Sequence, residues 1–342
     1  MDYLTQLLQC CGPSAFEGSV SALFRQRMSS VADKIEFDNM GNTVATFNPD
    51  GSFHLLLSAH IDEIGFQVCD YNKNGLLKIR KVGGVRKQYI NAQRVKVLAA
   101  GKSVDGVVVC KYDDKEGLPD IDGFFVDIDA GSREEAQSIA PLGTPVCFAP
   151  NVTFSGNTVT SKSLDDRIGI YTITRIATQL ADRLESLKLS VAATVQEEIG
   201  LRGMASVAKM VPADVCLNFD VTDAAEFDKE SLPSLGGGAV LFSNADSNTR
   251  LRDELAAVAD YAQIPHQLSL GRNITGGTDA ARLQIFSPDA AVAGIGLPCR
   301  YMHSPVEKCS LLDVNAAVSL VVSFAENLEK RLAAGGTIDF RY

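Results

Sequence analysis

The chain has 342 residues, 46% of them hydrophobic, with 28 Gly and 12 Pro, which excludes a disordered protein and leaves room for two domains around a real core. Its formal net charge is −10, and the basic residues form no run able to track a phosphate backbone, so nucleic acid is not an expected partner. Eight Cys show no C-x-x-C spacing, and several lie inside apolar runs such as "GVVVCKY" and "PVCFAP"; they read as reduced core residues of a cytoplasmic protein.

In chain order, residues 2–30 have helical period, with Val20, Leu23 and Phe24 on one face. This opening lacks a basic segment followed by a long apolar core, and no apolar run is read as approaching membrane-spanning length, so no membrane is expected. "KIEFDNMGNTVATF" predicts a hairpin, because Asp38, Asn39, Gly41 and Asn42 supply turn chemistry between two β-rich arms. "FHLLLSA" is a continuous apolar run of the kind buried on both faces of a parallel sheet.

From residue 67 to 160, short β-branched segments alternate with Gly, Asn and Asp, which predicts a small all-β domain with one short helix at "SREEAQSIA". Beyond it helices and strands alternate: a helix over 165–184, a strand "LKLSVAATVQ", a helix over 201–210, a strand "DVCLNFDV", further pairs, and a terminal helix over 311–332. The expected fold is α/β, a mostly parallel sheet with helices on both faces. Residues 1–66 and 161–342 would form that domain, with 67–160 inserted into it.

Functional groups of an open α/β sheet gather at the carboxyl ends of its strands. In "LLLSAHIDEIGF", His60 and Asp62 share a face of extended chain, the spacing at which an acid can orient a metal-ligating imidazole; a hydrogen-bonded strand-end His is the plain alternative. In "SKSLDDRIG", Asp165 and Asp166 open a helix, where capping explains one acid but does not need both. "TVQEEIGLRG" runs a strand into adjacent Glu197 and Glu198, and "CLNFDVTD" puts Asp220 at a strand end. "GLPCRYMHSPVEKCS" holds His303 in a Pro-bounded loop.

His60, Asp165, Glu198, Asp220 and His303 make a mixed nitrogen and oxygen donor set that suits Zn²⁺ and also admits Mn²⁺ or Co²⁺. Five protein ligands exceed what one open catalytic zinc takes. They suit two divalent ions sharing a bridging carboxylate.

The stretches "SAHIDEIGF", "SLDDRIG", "TVQEEIGLRG", "FDVT", "GGTDAARL" and "RYMHSPVE" carry a resemblance that spans nearly the whole chain. The chain resembles the co-catalytic two-metal aminopeptidases, which include the TET peptidases and the glutamyl aminopeptidases. The resemblance implies a phosphorylase/hydrolase-like metallopeptidase domain with an inserted, β-barrel-like dimerisation domain. It implies that Asp165 bridges two metals, that His60 and Asp220 complete one site, and that Glu198 and His303 complete the other. Glu197 would stay free of metal and act as general base on the bridging water, while Asp62 would hold His60 from behind. Asp279, in "GGTDAARL", would lie near the substrate. Many members have a cis peptide where Asp165 and Asp166 stand here. Short peptides with a free N-terminus would be the substrates, and dimers building a hollow tetrahedral dodecamer the assembly. Arg272 and Arg282 leave room for an acidic side chain at the cleaved residue.

Rival chemistries fit the residues less well. A glycosidase needs two carboxyls straddling the scissile bond, which adjacent Glu197 and Glu198 cannot easily do. No G-x-S-x-G elbow is present for a serine hydrolase. "KVLAAGKS" imitates the end of a phosphate-binding loop, but Lys96 stands where its first glycine would be. A metallo-deacylase or carboxypeptidase with a related centre is the nearest enzymatic alternative. A scaffold with structural metal is the non-catalytic one, although structural zinc leans on Cys.

Overall fold

The computed structural model describes residues 2–99, 101–111, 117–226, 233–271 and 273–341. Helices α1 (Tyr3–Gln9) and α2 (Gly18–Met28) precede the hairpin of β1 (Lys34–Phe37) and β2 (Thr43–Phe47), and then β3 (Phe53–His60). The barrel strands follow: β4 (Gly65–Tyr71), β5 (Leu77–Val82), β6 (Arg94–Ala99), β7 (Lys102–Cys110) and β8 (Phe124–Asp127), then α3 (Arg133–Ile139) and β9 (Pro145–Phe148). The hairpin of β10 (Thr153–Ser155) and β11 (Thr158–Ser161) leads to α4 (Leu164–Leu180), β12 (Leu187–Thr194), α5 (Arg202–Met210), β13 (Val215–Asp223) and β14 (Ala239–Phe242). Last come α6 (Thr249–Tyr261), β15 (His266–Ser269), α7 (Asp279–Phe286), β16 (Ala291–Arg300), β17 (Glu307–Ser310) and α8 (Leu311–Ala333).

Two sheets result. The large one has the order β1-β2-β12-β3-β13-β16-β17-β11-β10, with β14 and β15 branching from β16, and the small one closes as β4-β5-β8-β7-β6-β9. In the large sheet β12, β3, β13 and β16 are mutually parallel, while both flanks are antiparallel. The parallel centre is where apolar runs are continuous: β3 and β12 are buried along nearly their whole length, as strands covered by helices on both faces must be. Closing the small sheet leaves it no free edge to aggregate, and its own core includes Phe66, Val95, Val97, Phe124 and Phe148.

Two sequence expectations change. The hairpin β10–β11, whose texture matches the insertion, pairs with β17 in the large sheet, so the barrel strands end at Phe148. Short Thr- and Val-rich strands look alike whichever sheet they join. The helical period over 2–30 is broken by a loop at residues 10–17. The Gly12–Pro13 turn signal marks that break.

Among the described helices, α8 is long and apolar enough to cross a membrane, contrary to the reading that no run approaches that length. It is a core helix, packed on α4 and α6 with Val314, Leu320, Val321, Phe324 and Leu328 buried. Burying each such side chain is worth about 1.5–3 kcal/mol, so its apolar composition is accounted for inside the fold.

Candidate active site

Strand register brings the chemistry together. Thr194 of β12 pairs with His60 of β3, and Asn218 of β13 pairs with Ser58, which sets Asp220 level with His60. Glu197 and Glu198 follow β12 directly. Asp165 and Asp166 open α4 with non-helical backbone and a cis peptide bond between them. His303 lies in the turn between β16 and β17 with φ 60°.

Asp165 offers one oxygen to each of two histidines. Its Oδ1 is 3.0 Å from His60 Nε2, and its Oδ2 is 3.3 Å from His303 Nε2. On the His60 side, Asp220 Oδ1 stands 3.8 Å and Glu197 Oε2 4.0 Å from the same nitrogen. On the His303 side, Glu198 Oε1 is 3.4 Å from Nε2. The donor atoms of His60, Asp165 and Asp220 all lie within 4.8 Å of one another, as do those of Asp165, Glu198 and His303. Glu197 belongs to neither triad.

Asp62 ties these parts to one another. Its Oδ1 is 3.3 Å from His60 Nδ1 and accepts the Glu197 N–H at 3.0 Å. Its Oδ2 accepts the Glu198 N–H at 3.1 Å and the Ser14 hydroxyl at 2.6 Å. One buried carboxylate thus fixes the His60 ring and the chain that presents both glutamates.

The electrostatics of the bare side chains are unfavourable. Asp165, Asp166, Glu197 and Asp220 are all buried. Burial pushes the carboxyls of Glu197, Asp220 and Asp166 well above the usual range, and neighbouring acids add to it: Asp220 acts on Glu197, and Asp165 on Asp220. Burial likewise raises Glu198. For Asp165 burial also opposes the charge, but contacts from His303 and His60 outweigh it and hold the carboxyl below its ordinary value. Like charges 4 Å apart repel by about 4 kcal/mol even at an effective dielectric of 20. Two imidazoles do not neutralise this many acids.

The donor set therefore fits divalent cations. Glu198 Oε1 has no hydrogen-bond donor although it is buried, and each triad supplies the imidazole and carboxylate donors that zinc-like ions take.

The remaining candidates have definite places. Asp279 is buried and accepts the Thr194 hydroxyl at 2.6 Å, and burial pushes its carboxyl up to about 6. Its charge adds to the upward push on Glu197, and it is not a wall of the cleft. Arg282 is half-buried and donates to the Gly200 carbonyl at 3.3 Å; Arg272 lies outside the described residues. Asp166 accepts the Gly169 N–H at 3.0 Å. His54 is a core histidine, bonded to the Pro212 carbonyl and the Ser190 hydroxyl at 2.8 Å each.

Sequence reasoning passed over Glu307. Its two oxygens accept the backbone N–H groups of Asp165 at 3.0 Å and His303 at 2.9 Å, so one buried side chain joins the openings of two separate segments. An acid four residues after His303 was the available signal. Ser14 and Glu17 were passed over too; Glu17 accepts the Gln196 N–H at 3.1 Å, just before Glu197.

The cleft above these groups measures ≈ 520 Å³. Asp223 and Asp246 join the acids of the centre along its wall, and among the described residues no Lys or Arg lines it.

The profile of the M42 glutamyl aminopeptidases matches residues 41–320. The chain belongs to that family. It is a peptide hydrolase. It is 32% identical over 340 residues to the lysyl aminopeptidase of Pyrococcus furiosus, covering 96% of this chain and 97% of that protein. It superposes on a TET aminopeptidase from a marine sediment archaeon of the Thaumarchaeota with a TM-score of 0.90, at 29% identity and 98% coverage of both chains. The TET1 peptidase of Pyrococcus horikoshii, described as assembling into a tetrahedron or a large octahedral shell, gives 0.85 at 27% identity, covering 94% of this chain and 98% of that one.

Proposed function

We propose that this M42 peptidase removes N-terminal residues from short peptides with two divalent cations held at the Asp165 centre. The observation that carries this reading is the split of the Asp165 carboxylate, one oxygen toward the His60–Asp220 triad and one toward the Glu198–His303 pair. His60, Asp165 and Asp220 would hold one ion, and Asp165, Glu198 and His303 the other. Bound there, the ions would supply a water of lowered pKa and polarisation of the scissile carbonyl. Zinc is the ion we assign, with cobalt and manganese as substitutes the donor set accepts.

Glu197 is the general base. Its carboxylate stands 4.0 Å from His60 Nε2 without joining either triad, its backbone held by the Asp62 contact. It takes the proton of the attacking water and returns it to the leaving amine. The acidic cleft wall, free of cationic side chains among the described residues, supports recognition of a positively charged N-terminus. Asp279, anchored by Thr194, acts on Glu197 through its charge from outside the cleft wall.

Relatives that assemble into closed shells support a homo-oligomer, with the closed barrel as the inserted unit that contacts other copies. The eight free cysteines support a reducing compartment, which we take to be the cytoplasm.

The test is hydrolysis of amino-acid anilides, free and N-acetylated, with metal content measured before and after chelation. Cleavage of free-amine substrates that chelation abolishes is expected. Cleavage of the N-acetylated series alone would replace this reading with a deacylase.

A further inference from the structure

The two histidines of the centre are braced differently. A metal-ligating imidazole ordinarily has a carboxylate or carbonyl at its other ring nitrogen, which fixes its orientation. His60 has Asp62 Oδ1 there, 3.3 Å from Nδ1. His303 has backbone of the inserted barrel: a Cβ placed on Gly84 would stand 2.5 Å from His303 Nδ1 and 2.7 Å from Cε1. The residue before it makes a parallel contact. A Cβ on Gly83 would come within 3.2 Å of both Glu198 Cβ and Oε2, and 2.9 Å of Ile64 Cγ2.

Topology brings this turn to the centre. β4 begins five positions after His60, and β5 returns antiparallel with Val82 opposite Gly65, so residues 83 and 84 emerge beside the chain that leaves the catalytic strand. A methyl at Gly84 cannot be accommodated without moving the His303 ring, and one at Gly83 collides with Ile64 Cγ2 and crowds Glu198. Contacts under 3.0 Å exceed what close-packed interiors absorb, and glycine is the residue that lets backbone approach this closely.

We propose that Gly83 and Gly84 are positioning residues for Glu198 and His303, so that the inserted barrel supplies one wall of the outer half of the metal centre. Gly84 restrains the His303 ring by packing, where His60 has the Asp62 carboxylate, and Gly83 restrains the Glu198 side chain. The barrel is then part of the catalytic apparatus as well as a candidate contact between copies. This inference rests on the two-ion reading given above.

The experiment is a zinc titration of the full chain, read by ion content and by activity at each zinc level, for wild type, Gly84→Ala, Gly83→Ala and Gly101→Ala. Gly101 is the control: its φ of 78° matches the 75° of Gly83, and a Cβ there meets open space. Gly84→Ala and Gly83→Ala are expected to weaken the second ion about 10–100-fold, the effect typical of groups that orient a metal ligand. The first ion should bind as in wild type, and kcat should recover at high zinc with KM little changed. Gly101→Ala should titrate as wild type. A Gly84→Ala curve superimposed on wild type would overturn the inference, whereas a wild-type chain that binds a single ion would overturn the two-ion reading instead. Folding is checked by a cycle with His303→Ala. The melting temperature lost in Gly84→Ala should be regained in the double variant, because the obstructing ring is gone; equal loss in both backgrounds would place the strain inside the barrel and sink the proposal.

Discussion

The two halves of the centre share Asp165 and both touch Asp62, but they are built from different kinds of structure. The His60 half is built from the ends of parallel strands whose register is locked by continuous apolar pairing, and the His60 side chain is 2% exposed. The His303 half is built from turns, one after β12, one between β16 and β17 and one from the barrel, and its histidine is 26% exposed. The first is fixed by sheet register and the carboxylate of Asp62. The second touches Asp62 only through the Glu198 backbone, and depends otherwise on packing, on Glu307 and on the Gly83–Gly84 turn. Depth and rigidity should make the inner ion the tighter one, with the outer ion exchanging more readily.

Removing what the halves share should have the largest effect. Asp165→Ala is expected to lose both ions in metal analysis and to reduce kcat/KM by more than the roughly 10²–10⁴-fold that loss of a general base costs. Retention of either ion would show that the halves are independent. Glu197→Gln comes next: kcat should fall about 10²–10⁴-fold with ion content unchanged, because Glu197 belongs to neither triad. A loss of ion in this variant would move Glu197 into the ligand set. Asp62→Asn should act on one half more than the other, weakening the inner ion about 10–100-fold. An equal shift for the outer ion would contradict the asymmetry.

The same contrast explains what could be read from the sequence. The parallel centre was legible because "FHLLLSA" and "LKLSVAATVQ" are continuous apolar runs whose period admits few alternatives. Acids and histidines at strand ends were legible because charge there conflicts with burial unless something compensates it. Gly83, Gly84 and Ser14 were not legible: a glycine needed for close approach looks like any turn glycine, and Ser14 meets Asp62 across 48 positions of chain. Glu307 was hidden by its job, which is to accept two backbone N–H groups, a role no local pattern announces. The partner of β10–β11 was undetermined for the same reason, since pairing across the sheet is a long-range choice.

The smallest expected effect concerns pH, to which both halves respond in the same direction. Burial opposes the charge of His303, but Asp165 and Glu198 outweigh it and raise its pKa from 6.5 to about 11 in the cation-free chain. The folded chain then keeps a proton that the unfolded chain releases as pH rises above 6.5. Stability from this group is complete below that point and is lost progressively toward pH 11. His60 is raised as well, through Glu197, Asp165 and Asp62 acting against its burial, and so works in the same direction. A bound cation requires the neutral imidazole, so binding grows stronger as pH rises. The melting temperature of the chelated protein should therefore fall between pH 6 and pH 9, while that of the zinc-loaded protein falls less, and the gap widens by a few degrees. His303→Ala should shrink the widening and Gly101→Ala should leave it intact. A gap that stays constant or narrows with pH would mean that the imidazoles are not protonated in the cation-free fold, and that the acids of the centre are compensated in some other way.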